Sequence, residues 1–302
     1  MSLPIIRFIM VSVLLVVPLM ANAAVNVFAC EPEWAALADE IGGEQVNSYS
    51  ATTALQDPHY IQARPSLIAK VRNADLLICS GAQLEIGWLP ALLQKANNRQ
   101  VRPGSDGYLE ASRFVVRLDA TGGVDRAEGD IHPLGNPHVQ TNPHNIAVIA
   151  EAVASRLAII DPDHSEVYAS RYRDFSARWK EAIARWEDSA AELRGKRIIT
   201  HHKSWVYLED WLGLIEVENL EAVAGVPPTA SHLSKLTHEF GDNGADIIIR
   251  SPYQDGKPSQ WLSERTGIPA VVLPLTVGGT ENSTDLYGMF DDIIAILLGA
   301  IE

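Results

Sequence analysis

Apolar residues come in two alternating rhythms over most of this chain. The run Val25-Asn-Val-Phe-Ala-Cys30 is short and β-rich, and it leads into Glu33-Trp-Ala-Ala-Leu-Ala-Asp-Glu-Ile41. There the apolar positions recur at helical spacing until Gly42-Gly43 stops them. Gln45–Ser50 reads as a strand, Pro65–Val71 as a helix with proline in its first turn, and Leu76–Cys79 as a buried strand. After Lys196 the rhythm resumes. Strands are expected at Arg197–Thr200, Leu214–Val217, Ile247–Ile249 and Val271–Leu273, with helices near 204–212, 231–241, 258–266 and 285–299. Such alternation predicts an α/β fold of two lobes, each a mainly parallel sheet flanked by helices.

The stretch between them has a helical period only. Asn145–Ile160 reads as one helix, broken at Asp161-Pro162. Ser165–Leu193 then contains neither Pro nor Gly and predicts a helix ~40 Å long. It is a stiff tie between lobes, from which modest hinge opening is expected. The expected organisation is a leader over 1–23, an N-terminal lobe over 24–144, connecting helices over 145–194 and a C-terminal lobe over 195–302. Residues 120–137 contain Gly and Asp and read as a mobile loop.

The leader changes the picture of location. Arg7 precedes the apolar run Phe8–Met20, and Ala21-Asn-Ala23 supplies small residues at a cleavage position. These are the parts of a secretory signal peptide. The run is shorter than the ~17–25 residues of a membrane span, and no cysteine follows the cleavage position to take a lipid. Export to the periplasm as a soluble protein is expected. An oxidising compartment lets disulfides persist. Cys30 and Cys79 each end a strand-like run, so parallel pairing would put both at one sheet edge; a disulfide and a pair of buried free thiols both remain open.

Charge narrows the partners. Asp+Glu number 38 and Lys+Arg 24, giving a formal net charge of -14. That balance argues against nucleic acid, whose phosphates need clustered positive charge, and suits a protein that attracts cations.

The candidate chemistry lies in the nine histidines. Ligands of open α/β sheets bind beyond the carboxyl ends of the strands, and that rule selects among them. His59 follows the strand-like segment at 45–50, His138 lies in Gly135-Asn-Pro-His138 before the first connecting helix, and His201 and His202 follow Arg197–Thr200. His164, His232 and His238 sit in or beside helices and read as surface or packing residues. Three imidazoles with a carboxylate or water suit tetrahedral Zn²⁺, although separations of 79 and 64 residues form no local zinc motif.

The words around these histidines resemble the periplasmic solute-binding proteins of zinc and manganese ABC importers, the cluster A-I metal receptors, over nearly the whole mature chain. Asp57-Pro-His-Tyr60, with Arg64-Pro-Ser66 and Ala74–Glu85, matches the family's first-ligand loop and the helix and strand after it. Asn136-Pro-His-Val-Gln-Thr-Asn-Pro143 resembles the second-ligand segment, with Gln140 and Thr141 in place of more usual Trp and Leu. His202-Lys-Ser-Trp-Val-Tyr207 fits the third, and the Tyr207 register selects His202 over His201. Gly225–Leu233 matches the Gly-x-x-Pro segment, making His232 structural.

The resemblance implies a metal site of His59, His138 and His202. Its all-nitrogen character favours Zn²⁺ as the transported ligand over Mn²⁺, a harder ion that prefers oxygen. Asp57 and His201 are placed to orient the ligand rings. The family's final Asp is missing where Leu273-Pro-Leu-Thr-Val-Gly-Gly-Thr280 stands, which leaves Glu281, Asp285 or water as the fourth ligand, Asp285 also being placed to cap the last helix. The family's His- and acid-rich loop shrinks to Asp125–His132, making His132 a candidate capture or transfer residue.

The implied function is a non-enzymatic, monomeric receptor that delivers metal to an inner-membrane ABC permease with a cytoplasmic ATPase, after loading directly or from a periplasmic metal donor. A zinc-dependent hydrolase would share three protein ligands, but His-Glu-x-x-His and Gly-x-Ser-x-Gly are absent. A receptor for haem or a siderophore would call for an aromatic or basic cleft.

Overall fold

The computed structural model describes residues 24–302 apart from 121, 123–128, 131, 242 and 243. The expected leader over 1–23 and most of the Asp125–Ile131 loop lie outside the described residues.

In the first lobe, β1 (Val25–Ala29) pairs in parallel with β2 (Val46–Ser50) on one side and β3 (Leu76–Cys79) on the other. A three-residue edge strand, β4 (Tyr108–Glu110), extends β3 and completes the order β2-β1-β3-β4. Every residue of β3 is buried, as a continuous apolar run in a two-sided parallel sheet requires. Helices α1 (Pro32–Gly42), α2 (Pro65–Arg72) and α3 (Leu89–Ala96) each have proline in the first turn, where its missing N–H costs no helical bond.

The second lobe repeats the plan. Strands β5 (Arg197–Thr200), β6 (Ile215–Asn219), β7 (Ile247–Arg250) and β8 (Ala270–Val272) are parallel in the order β6-β5-β7-β8. Between the lobes run α4 (Pro143–Ile160), capped by Asn142, and α5 (Ser165–Ser189). The strands of the second lobe alternate with α6 (Val206–Leu212), α7 (Ala230–Phe240) and α8 (Gly256–Thr266), and α9 (Leu286–Ile301) closes the chain.

The 25 residues of α5 span ~38 Å. The helix stops four residues before the expected Leu193 because the chain tightens into a 3₁₀ turn over Ala191–Leu193. One apolar core joins both sheets through these helices, taking in Trp34, Ile78, Ile146, Trp179, Ile198, Ile247 and Phe290. Fully buried Trp179 on α5 packs against Tyr287 and Phe290 of α9 at ring-centroid distances of 4.8 and 5.6 Å, and its indole N–H donates to Pro143 O. That joint couples the lobes through packed side chains.

Cys30 and Cys79 form a disulfide with a Cα separation of 4.8 Å. Parallel pairing of β1 with β3 puts the two residues side by side at the carboxyl edge of the first sheet. The bridge closes a loop that carries α1, β2, His59 and α2.

Candidate metal centre

His59 sits in the loop between β2 and α2. The Asp57 carboxylate accepts from the His59 backbone N–H at 3.0 Å and from ring Nδ1 at 2.7 Å. A carboxylate only accepts, so Nδ1 carries the proton and Nε2 is left with its lone pair. The Trp88 indole pins the same loop by donating to Pro58 O at 2.8 Å.

His202 is held the same way from further along the chain. It follows β5, and its Nδ1 lies 2.7 Å from Oε2 of Glu221, just beyond the neighbouring β6. Glu221 Oε2 also accepts from Gly225 N at 2.7 Å. Gly225 has φ +74°, and a Cβ there would stand 2.4 Å from Asp130 Oδ2, so glycine is required both by the backbone and by the close approach.

His138 has no such partner. It is 1% exposed and neither ring nitrogen has a hydrogen-bond partner among the described residues. A buried imidazole with both nitrogens unpaired has lost its water without replacement. Its position is set by Asn136, whose Oδ1 accepts from His138 N at 3.0 Å while its Nδ2 donates to Lys203 O at 2.7 Å. The Tyr207 hydroxyl donates to Asn136 O and accepts from Leu118 N. Asn136 and Tyr207 therefore tie the second-histidine segment to the residues around His202.

These three rings converge. One ligand atom each of His59, His138 and His202 lie within 4.8 Å of one another, all three residues being buried. The His59 ring stands 5.8 Å from both others, centroid to centroid. Nitrogens sharing a tetrahedral zinc at 2.0–2.1 Å are about 3.4 Å apart, so ring movements of roughly an ångström bring all three onto one ion. Unpaired lone pairs facing a common point, with carboxylates fixing two of the tautomers, are what a borderline divalent cation requires.

A fourth imidazole reaches the cluster. His132 Nε2 lies 3.2 Å from His59 Nε2. Its loop, expected to be mobile, is tied down where described: Asp130 N donates to Ala224 O at 3.0 Å, and Asp130 Oδ2 accepts from the Tyr60 hydroxyl at 2.5 Å. Burial, with smaller contributions from His59 and His202, pushes the His132 pKa down to about 4. The same causes hold His138 well below the usual imidazole range. Both rings are therefore neutral, and able to bind metal, at neutral pH. Burial acts to raise Asp57, but its hydrogen bonds with His59 together outweigh that effect and hold the carboxyl below its ordinary value.

The two carboxylates expected as fourth-ligand candidates lie elsewhere. Asp285 is occupied as the cap of α9, accepting from Gly288 N at 2.8 Å, and Glu281 is exposed; neither joins the histidine group. His201, expected to orient a ligand ring, instead lies 3.7 Å from Glu221, the carboxylate that orients His202. The role expected of His201 belongs to Glu221, which no local spacing marks in the sequence. The remaining helix-associated histidines are in packing or surface roles where the contacts define them: His164 pairs with Asp161, and His232 Nε2 lies 2.9 Å from the Asn219 carbonyl that accepts from it.

A cavity of ≈ 370 Å³ opens beside His59 and His202, and Asp57, Asp130, Glu221 and Asp255 line it. Four carboxylates in one concave mouth raise the local concentration of cations.

A model of the family described as ZnuA, zinc-uptake complex component A, periplasmic, matches residues 27–300. The chain belongs to this family. It is a substrate-binding protein of a metal ABC transporter. Among relatives, the zinc-binding lipoprotein AdcA of Streptococcus pneumoniae is 21% identical over 249 residues, 81% of this chain and 48% of AdcA, so the chain spans about half the length of that relative. The manganese ABC transporter substrate-binding lipoprotein PsaA of Streptococcus mitis is 22% identical over 234 residues, 76% of this chain and 72% of PsaA. A crystal structure of ZnuA superposes with a TM-score of 0.74 at 20% identity, covering 90% of this chain and 99% of that one, a likeness of fold.

Proposed function

We propose that the protein is a zinc receptor of the periplasm, carried there by the leader at residues 1–23, which binds one Zn²⁺ through His59, His138 and His202 and passes it to an inner-membrane ABC permease. The observation that carries this reading is the convergence of three buried imidazoles from both lobes with no carboxylate among them. An all-nitrogen donor set favours zinc, whereas manganese favours oxygen. The protein acts as a receptor and not an enzyme: the ion is cargo, and ligand exchange is the whole of its chemistry.

His132 completes the coordination in this reading. Its separation of 3.2 Å from His59 Nε2 is close to the ligand-to-ligand edge of a zinc tetrahedron. The bound ion would then span both lobes and the loop over the mouth, giving the permease a difference between loaded and empty receptor.

Metal analysis of protein purified from periplasm, with competitive titration against a chelator, checks the assignment. One equivalent of zinc is expected in the parent. His59→Ala, His138→Ala and His202→Ala are each expected to lose about 100- to 1000-fold in affinity, a quarter share of a structural zinc site. His132→Ala is expected to keep one equivalent but release it faster. Preferential retention of manganese would overturn the zinc reading.

A further inference from the structure

A second cavity lies against the histidine cluster and shares His138 with it as part of its wall. Its volume is ≈ 20 Å³, room for a single water-sized particle. Its polar lining includes Glu31, Glu33, Thr52, Gln140 and Thr276. Three oxygens of that lining have no hydrogen-bond partner among the described residues: Glu31 Oε1, Glu33 Oε1 and Gln140 Oε1. Their residues are 4%, 1% and 3% exposed.

The other polar atoms of these side chains are spoken for. Glu31 Oε2 accepts from Ser80 N and Oγ at 3.2 and 3.1 Å. Glu33 Oε2 accepts from the Thr276 hydroxyl. The Gln140 amide nitrogen donates to Leu275 O at 3.2 Å, which fixes its oxygen as the unpaired atom. The charges bearing on Glu31 are those of Glu85 and Glu33, both acidic, and the Glu85 carboxyl is also within hydrogen-bonding reach of it. Buried carboxylates without a cationic partner are costly, and here two of them meet a third bare acceptor around a space one particle wide.

We propose that this cavity is a binding site for one hard divalent cation of the calcium type, held by Glu31, Glu33 and the Gln140 amide oxygen. Two carboxylates balance a charge of two. Glu31, Glu33 and Gln140 offer oxygen only, which favours a hard ion over zinc or copper at these three donors. Thr52 and Thr276 hydroxyls in the same wall add neutral oxygens, as calcium's larger coordination number needs. Magnesium keeps several of its waters, and a space of ≈ 20 Å³ has no room for them. A single water donates at most two hydrogens to three acceptors. Burial pushes the Glu33 carboxyl up to about 7. Because Glu33 belongs to α1 and Thr276 follows β8, the ion would fasten the two lobes to each other at a point separate from the transported metal.

The site is tested by following the melting temperature of the full chain in millimolar CaCl₂, MgCl₂ or NaCl at constant ionic strength, with and without one equivalent of zinc. Running both zinc states keeps the outcome independent of the transport reading. Calcium at a hundredfold excess over its Kd is expected to raise Tm by about 5 °C, with magnesium and sodium giving no comparable rise. Glu33→Gln and Gln140→Leu should each abolish the rise and keep zinc stoichiometry. Where a variant fails to fold, terbium in the parent chain serves instead. Tyr253 lines the cavity, and Trp34 donates to Ser80 Oγ beside Glu31, so calcium-displaceable sensitised luminescence is expected. No rise in Tm, an equal rise with magnesium or sodium, a rise surviving in Glu33→Gln, or silent terbium would each overturn the proposal.

Discussion

The two lobes present their histidines by the same contact, built at different ranges. In the first, Asp57 holds His59 from two residues away, within one turn of loop, and the Asp57 side chain is 36% exposed. In the second, Glu221 holds His202 from nineteen residues away, across a strand pair, and its side chain is 11% exposed. Both contacts are 2.7 Å, and both leave the Nε2 lone pair for the metal. His138, from the segment before α4, has no carboxylate holding it among the described residues. A local turn makes a sufficient holder that water partly screens, whereas the non-local one is drier and also binds Gly225 N. The second lobe therefore has the stiffer half of the site, and the first lobe, with the loop bearing His132, has the half better able to yield.

Removing the rings themselves erases the comparison, at a cost of about 100- to 1000-fold in zinc affinity for each. Removing the holders sharpens it. Glu221→Gln should cost close to 100-fold in zinc affinity and Asp57→Asn closer to 10-fold, about the two ends of the usual range for residues that orient a metal ligand. Competitive titration at one pH reads both, and equal losses, or a larger loss for Asp57→Asn, would contradict the asymmetry. Deleting residues 123–132 removes His132 and should raise the zinc dissociation rate more than it alters stoichiometry. Stopped-flow chelation checks this, and an unchanged rate would remove His132 from the coordination.

The smallest effect concerns proton linkage away from the rings. Burial pushes Glu85, at the foot of the disulfide-bearing edge, up to about 7. Its folded pKa is thus above its unfolded value, so the stability it contributes is complete below about 4.5 and is lost as pH rises through about 7. Glu85→Gln should therefore gain stability relative to the parent as pH is raised across that window. Paired urea melts from pH 5 to 8 read the difference, and parallel profiles would exclude the effect.

The fold is largely legible in the sequence, because seven of the eight strands described stand out as short β-rich runs bounded by turns. The exception, β4, is a three-residue edge strand with one buried side chain, too short to leave a period. Helix α3 escapes because Leu89-Pro-Ala-Leu-Leu comes soon after a tight turn in which Gly81, Ala82 and Gln83 all have positive φ, and Trp88 at its N-cap makes no side-chain cap, so Pro90 alone marks its start. The site is half legible. His59, His138 and His202 can be picked from their place after strands and from the words beside them. Glu221, Asn136 and the reach of His132 cannot, since their partners are 19, 67 and 73 residues distant and only strand order brings them close. Asp57 is visible because its partner is local.

The most direct test is zinc K-edge absorption spectroscopy on the full chain loaded with one equivalent of metal. The account predicts a four-coordinate ion with a first shell of imidazole nitrogens at about 2.0 Å, and loss of an imidazole in His138→Ala. A first shell dominated by oxygen, or a spectrum indifferent to His138, would contradict it.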